Sequence, residues 1–374
     1  MIVTLALVNG FQETISQKIF SFWGHIRVTD KQPVHSVIAE EFPIRKNDTA
    51  FTAIKNNPDV KSIHPYATRY ALLKTKDDME GVLMKGLDSS YDFSHLKQFI
   101  KEGRWIHFND STYSREIIIS TYTATQLQLK LNDRVLVYFI RTDGSLRPDK
   151  LTVVGTYKTG IVDYDRMFAI GDIKLIQRLN GWQPDEIGGY EIFLKDLKKM
   201  DAVNYSLYYM NAFPQTWDTK TLREISPDIF DWLGMQNITR NVLIGFMIVV
   251  AVINLITCLI ILVLERVRMI GVLKAIGAGN WTVQKIFLQH SLFITITGII
   301  LGTALALGLL WIQQKTGFIT LNEDAYFIST AAVKISWPEV ALICTGTLVI
   351  CFLVLLIPTI IIKKIQPVKA IQFR

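Results

Sequence analysis

Residues Asn241–Leu264 read NVLIGFMIVVAVINLITCLIILVL, without one charged side chain. About 20 mainly apolar residues suffice to carry a helix across the hydrocarbon core of a bilayer, so this stretch predicts a membrane span. Two stretches of the same kind follow at 286–311 and 340–362, and the three together decide the fold class. The chain reads as an α-helical membrane protein with three complete spans. Whole-chain averages conceal this: of 374 residues 50% are hydrophobic, and 40 Lys+Arg against 33 Asp+Glu leave a formal charge of +7. Residues 11–240, by contrast, are ordinary half-polar sequence, and an all-soluble protein is excluded. Cys258, Cys344 and Cys351 all fall inside the spans. The polar region therefore has no thiol for a disulfide or a cysteine metal site.

Lys and Arg near span ends stay on the cytoplasmic side. Segment 265–285 carries Arg266, Arg268, Lys274 and Lys285, and the tail 363–374 carries Lys363, Lys364, Lys369 and Arg374, whereas loop 312–339 has only Lys315 and Lys334. The first two segments are thus expected inside, and residues 12–240 outside as one large extracytoplasmic domain. Trp232, Trp311 and Trp337 sit at the ends assigned to the outer interface, where amphipathic rings prefer to lie. Export of that domain needs a leading span, and the only candidate, within residues 1–11, has its apolar run in Met1–Val8, about a third of the required length. It lacks the basic region and cleavage site of a signal peptide. Met1 is accordingly expected to be an internal methionine, with a first span that has lost its beginning and four spans in the intact protein; a short buried strand or helix opening the domain is the alternative.

Residues 20–230 alternate β-rich runs with amphipathic stretches, which predicts an α+β domain. Extended sequence is expected over 60–74 with a break at Pro65, helix over 93–101 ending at Gly103, and strands at 116–120, 134–141, 151–157 and 190–194. Asp143-Gly144 supplies a tight turn between the second and third of those strands, because Gly tolerates positive φ. Helices are expected over 122–129, from an N-cap at Asp172 to a stop at Gly181, and over 197–210. Chemistry is sparse. His25, His35, His64, His95 and His107 show no metal-ligand spacing, and there is no G-x-S-x-G elbow. Without a G-x-x-x-x-G-K-[ST] loop the chain has no P-loop for nucleotide phosphates. It is expected to be non-catalytic and to carry no cofactor or metal of its own, so any ATP would be bound by another subunit.

Between the first two complete spans, residues 265–285 read ERVRMIGVLKAIGAGNWTVQK. Ile270, Leu273, Ala275 and Ile276 suggest an apolar stripe at helical spacing, and Gly277, Ala278 and Gly279 break the helix before the chain re-enters the membrane. That pattern suits a docking element or an amphipathic stretch lying on anionic headgroups. Within the spans, Gly298 and Gly302 form a G-x-x-x-G that permits close helix packing, expected chiefly inside the subunit. Asn254, strongly polar and mid-span, is expected to find a helix–helix hydrogen bond first and a substrate-lining role second. Pro358 should kink the last span.

The sequence resembles the FtsX/MacB-type family of ABC permeases, and within it the lipoprotein-releasing LolC/LolE branch. The resemblance lies in Leu7-Val8-Asn9-Gly10-Phe11, Val153-Val154-Gly155 with Tyr164-Asp165, Ile270-Gly-Val-Leu-Lys-Ala-Ile-Gly-Ala278, Tyr326-Phe-Ile and Pro367-Val-Lys-Ala370. It implies four-span subunits in a homo- or heterodimer bound to two copies of a separate ABC ATPase, with a MacB-like periplasmic domain. It also implies that the region from Lys274 to Val283, through Ala275, Ile276, Gly277, Ala278, Gly279, Asn280 and Trp281, is the coupling helix for the ATPase. A hairpin over Tyr138–Lys150, with Arg141, Asp143, Gly144, Arg147 and Pro148, would correspond to the element that recruits a periplasmic lipoprotein carrier; a solvated hairpin tip is the other reading. Met269 stands where relatives usually carry an acid, and His290 where many carry glycine.

The resulting expectation is a permease subunit, multi-pass in a bacterial inner membrane with its large domain in the periplasm. It would extract lipoproteins for transfer to a carrier, with an ATPase subunit, a second permease subunit and the lipoprotein as partners and no role for nucleic acid. An FtsX-like signal transmitter acting on a cell-wall hydrolase and a MacB-like exporter are the alternatives.

Overall fold

A computed structural model describes residues 1–31, 42–109, 112–140, 146–322 and 326–364. Along the chain, α1 (Ile2–Trp23) leads into β1 (Ile26–Asp30), followed by β2 (Ile44–Arg45), α2 (Asp48–Lys55), β3 (Val60–Lys74) and β4 (Met79–Leu87). Next come α3 (Ser94–Lys97), β5 (Ile100–Gly103), β6 (Glu116–Ser120), α4 (Thr121–Gln126), β7 (Arg134–Ile140) and β8 (Leu146–Tyr157). Then follow α5 (Val162–Met167), β9 (Phe168–Asp172), α6 (Ile173–Asn180), β10 (Glu186–Ile187), β11 (Gly189–Leu194), α7 (Met200–Tyr208), β12 (Trp217–Thr221) and α8 (Leu222–Ile225). The chain closes with α9 (Pro227–Glu265), α10 (Val267–Ala275), α11 (Asn280–Thr316) and α12 (Trp337–Lys364).

Two units emerge. Met1–Thr14, Asp231–Thr320 and the chain from Thr330 onward form one, and Ile15–Phe230 with Leu321–Ser329 form the other. Among the described residues, three helices are long and apolar enough to cross a membrane, over Pro227–Cys258, Trp281–Thr316 and Trp337–Val354. Val252, Leu255 and Ile256 of α9, Leu288 of α11 and Ile350 of α12 pack around Val354. On the opposite side of α9, Val250, Ile253 and Asn254 are exposed.

The second unit is α+β. Its strands follow the order β12-β1-β11-β3-β4-β9-β6-β8-β5, and β7 pairs with both β3 and β8. That double pairing closes β3, β4, β9, β6, β8 and β7 into a ring, in which β4–β9 and β6–β8 run parallel. Leu73, Met84, Ile119, Val137, Val153 and Ala169 share one register face of the ring and are fully buried, so a closed barrel leaves no edge along this part of the sheet. Beyond the ring, β11, β1 and β12 extend β3 antiparallel.

Several local expectations change. The 60–74 run does not break at Pro65, where the backbone pairs with Tyr190 of β11. Pairing with β4 begins only at Ala67, so Pro65 sits where the strand is paired on one side and its missing N–H costs no ladder bond. β8 likewise begins at Leu146, ahead of the expected 151, and runs through Pro148, which among the described residues pairs only with Tyr138 of β7. The helix expected over 93–101 shrinks to α3, because Ile100–Gly103 pairs with β8 instead. Gly103 is no helix stop: at φ +85° its missing Cβ would lie 2.3 Å from the Val154 carbonyl oxygen. The boundary expected between 11 and 12 falls inside α1, which continues unbroken to Trp23. As expected, Asp172 caps α6 by accepting from the Lys174 N–H, and Gly181 ends it at φ +70°.

Candidate functional site

α10 ends in a glycine cap. The Ala278 N–H donates to Leu273 O (3.0 Å) and the Gly277 N–H to Lys274 O (3.1 Å), with Gly277 at φ +96°. This pairing satisfies the last carbonyls of the helix and needs the left-handed conformation that glycine adopts without strain. Gly279 then stands extended ahead of Asn280, the first residue of α11. The region from Lys274 to Val283 is therefore not one helix; it is the end of α10, a cap and the first turn of α11. The side chain of Asn280 lies outside the described set.

The expected stripe of Ile270, Leu273, Ala275 and Ile276 divides. Ile270 is fully buried, whereas Ile276 is 80% exposed, since six residues at 100° each place the two on different sides of the helix. Trp281, across the cap, is 75% exposed, and Val283 behind it is fully buried. Two large apolar side chains thus flank one tight turn, with Val272 and Met269 also exposed. Exposed Ala275 and half-exposed Lys274 and Ala278 sit between them.

At the other end of the same unit is a polar cluster that sequence reasoning passed over. Asn9 Nδ2 donates to Glu339 Oε2 at 2.7 Å, and Asn9 Oδ1 accepts from Arg240 Nη1 at 3.3 Å. One amide thereby joins α1, α9 and α12. Lys334 Nζ meets Glu13 Oε1 at 2.7 Å, and the Lys334 N–H donates to Ala6 O at 3.0 Å. A Cβ on Gly10 would stand 2.3 Å from Ala332 O and 2.8 Å from Lys334 N, so glycine is what lets this backbone lie directly on α1. The Leu7–Phe11 motif was the available signal.

Among the described residues, a Cβ on Gly298 or Gly302 would meet nothing within 4 Å, and both glycines line an apolar groove of about 480 Å³ with Leu255, Ile299, Thr303 and Cys344. The expected close contact at these glycines is thus not seen among the described residues; α11 and α12 touch beside the motif, where Thr303 Oγ1 and Cys344 Sγ are 3.4 Å apart. Asn254 is exposed on the free side of α9.

In the α+β unit, β7 and β8 form the expected hairpin, registered from Arg134↔Thr152 to Ile140↔Leu146. Arg141, Asp143 and Gly144, at its tip, lie outside the described residues, as does the side chain of Arg147. Pro148 pairs with Tyr138, and two rungs further from the tip Lys150, Leu136, Lys74 and Met79 align across four strands. Leu136 and Met79 are exposed on that rung. The Tyr164-Asp165 and Val153-Val154-Gly155 matches serve the fold: Asp165 accepts from the Thr159 and Gly160 N–H groups at 2.8 and 3.0 Å, and a Cβ on Gly155 would lie 2.6 Å from Arg104 O. Burial pushes the Asp165 carboxyl up, against those two hydrogen bonds and a third from the Thr159 hydroxyl at 2.8 Å. Of the histidines, His25, His64 and His95 surround Phe193, and His35 lies outside the described residues. Among the described residues no His/Cys/Asp/Glu group is arranged to hold a metal ion.

The MacB-like periplasmic core domain matches residues 1–204, more than half of the chain, and the FtsX-like permease C-terminal domain matches residues 241–367. The chain belongs to the FtsX/MacB-type ABC transporter permeases. Similar proteins of this family include the lipoprotein-releasing system transmembrane protein LolE of Haemophilus influenzae, 24% identical over 100% of this chain and 90% of that protein. LolC of Xylella fastidiosa is also 24% identical, with the same coverage. Among solved structures, the periplasmic region of MacB from Actinobacillus actinomycetemcomitans aligns with a TM-score of 0.39 at 11% identity, covering 56% of this chain and 95% of that one. In this permease, exposed apolar side chains stand at the turn at Gly277, where Ile276 and Trp281 flank the cap, and on the hairpin of β7 and β8 at Leu136.

Proposed function

We infer that this permease is the membrane subunit of an ATP-driven complex that extracts lipoproteins from the inner membrane and passes them to a periplasmic carrier. The observation that carries the reading is the full-length similarity to proteins named for lipoprotein release. The geometry supplies compatible parts. Ile276 and Trp281, exposed on either side of a glycine-capped turn, offer an ABC ATPase a preformed apolar knob; desolvated aromatic and aliphatic anchors of this kind carry most interface energy. The ATPase binds the ATP, because this chain has no P-loop. A second permease subunit, the same or different, covers the free side of α9 around Asn254. The hairpin of β7 and β8, with Lys150 and Leu136 beside Lys74 of β3, receives the carrier.

ATP closure of the partner subunits pushes the turn and tilts the spans, closing a lipid-facing cavity between the two permeases and driving the acylated substrate toward the periplasm. Coupling to ATP is required, because each buried CH₂ is worth about 0.8 kcal/mol and three acyl chains leave a bilayer spontaneously at a negligible rate. Depletion of the protein should strand outer-membrane lipoproteins in the inner membrane, read by fractionation. Normal sorting with a defect in cell-wall hydrolysis, or with drug or peptide sensitivity, would replace this reading by the signalling or the export alternative.

A further inference from the structure

Helix α1 ends inside the α+β unit, and how it ends is unusual. Ile15, Ile19 and Phe22 of its last turns are all but fully buried, and the Phe22 ring packs against Phe99, Tyr157, Tyr164 and Phe168. The last carbonyls of a helix carry partial negative charge and lack helical partners, and no basic residue lies in the last turn of α1. A cation arrives from the barrel instead: Lys85 Nζ, on β4, donates to the Phe22 carbonyl oxygen. The same ammonium lies 2.6 and 2.8 Å from the two carboxylate oxygens of Glu191 on β11, and Tyr91 OH donates to Glu191 at 3.1 Å. Both charged side chains are buried, at 1% and 0% exposure.

The second helix leaving this unit is attached differently. α8 ends at Ile225, Ser226 is neither helix nor strand, and α9 starts at Pro227, with residues 226–230 exposed or half-exposed. Among the described residues, that start is held by the Phe230 ring against Phe20 and under Arg223, without a buried ion pair. One helix is thus clamped by a buried charge to two strands, and the other begins after a break.

We propose that Lys85 and Glu191 are positioning residues that fix the end of α1 to the barrel, making α1 the helix through which ATP-driven motion enters the outer domain and Ser226–Pro227 the hinge of the other. This rests on the reading of the protein as an ATP-driven permease. A buried ion pair is poor value as a stabiliser, since apolar residues of similar size commonly hold a fold as well or better. Its use here is directional: it grips a helix terminus that apolar side chains would merely surround.

The test uses the complete complex purified through a tag on this chain, compared with and without vanadate-trapped ATP by hydrogen exchange. In the wild type, trapping should shift exchange of the Val82–Leu87 and Gly189–Leu194 amides roughly tenfold, as expected for a coupled structural unit. The triple replacement Lys85→Met, Tyr91→Phe and Glu191→Leu should keep the melting transition and ATP turnover while that shift falls below about twofold. Two glycines inserted between Ser226 and Pro227, in an exposed stretch, should leave the shift intact, and this variant decides the matter should the triple replacement not fold. A folded triple variant that keeps the full shift, a wild type without one, or a glycine insertion that abolishes it would each overturn the proposal. Lipoprotein sorting in depleted cells is a separate measurement, so failure of the transport reading is told apart from failure of the joint.

Discussion

Asn9 and Glu339, 330 positions apart in sequence, are joined by a 2.7 Å hydrogen bond that holds α1 to α12. Arg240 completes the contact from α9. Asn9→Ala removes both bonds, which are part-buried, and should cost about 1 kcal/mol in all, roughly 0.5 kcal/mol each at the low end for an intramolecular hydrogen bond. Gly10→Ala, one position on, should cost more, about 1–3 kcal/mol, because its Cβ meets backbone that cannot rotate away. Thermal unfolding in detergent should rank the two in that order; an Asn9→Ala variant less stable than Gly10→Ala would contradict the packing described.

Ile276→Asp or Ala275→Asp should abolish co-purification of the ATPase while membrane insertion stays normal, since a carboxylate buried without a partner at an interface costs several kcal/mol. Trp281→Ala should weaken the association as well. If the turn instead rests on lipid headgroups, the Asp variants would still capture the ATPase, and Arg266→Glu with Arg268→Glu would do more harm through topology.

Asn254→Leu should leave the melting temperature of the isolated subunit unchanged, because the side chain is exposed there. Assembly should suffer instead: interhelical hydrogen bonds in membranes are worth roughly 0.6–2 kcal/mol, so the second permease subunit should dissociate several-fold more readily. Cross-linking yield through Asn254→Cys gives an independent reading, and a total lack of cross-links between permeases would rule the contact out.

The α+β domain should lose stability in mild acid. His25 is lowered to about 3 by burial first and by His95 and Lys61 second, and its Nδ1 accepts the Leu194 N–H at 2.6 Å. The neutral ring is therefore the folded form. Its contribution is complete above the unfolded value of 6.5 and declines as pH falls from there toward 3. His64 and His95, both also lowered by burial, act in the same direction. Melting temperature against pH should slope downward below about 6.5, and His25→Gln should flatten that slope. A wild-type profile that stays level between pH 7 and 4 would refute it.

What the sequence determined by itself is whatever depends on short windows. Charge-free runs of span length announced α9, α11 and α12, because the price of a buried backbone or charge in hydrocarbon is paid residue by residue. The Asp172 cap, the Gly181 stop and the glycine turn after Ala275 were legible for the same reason: each is a local conformational preference. Tertiary structure decided the rest. Pro65 and Pro148 look like strand breakers until the sheet shows them paired on one side only, and Ile100–Gly103 becomes a strand because β8 lies alongside it. Ring closure through β7, the grip of Lys85 on Phe22 and the Asn9–Glu339 bond all join residues far apart in the chain, where no periodicity or spacing can report who meets whom. The exposed Ile276 and buried Ile270 make the same point at short range, since composition gave both the same apolar label and only packing separated the face that is filled from the face that is free.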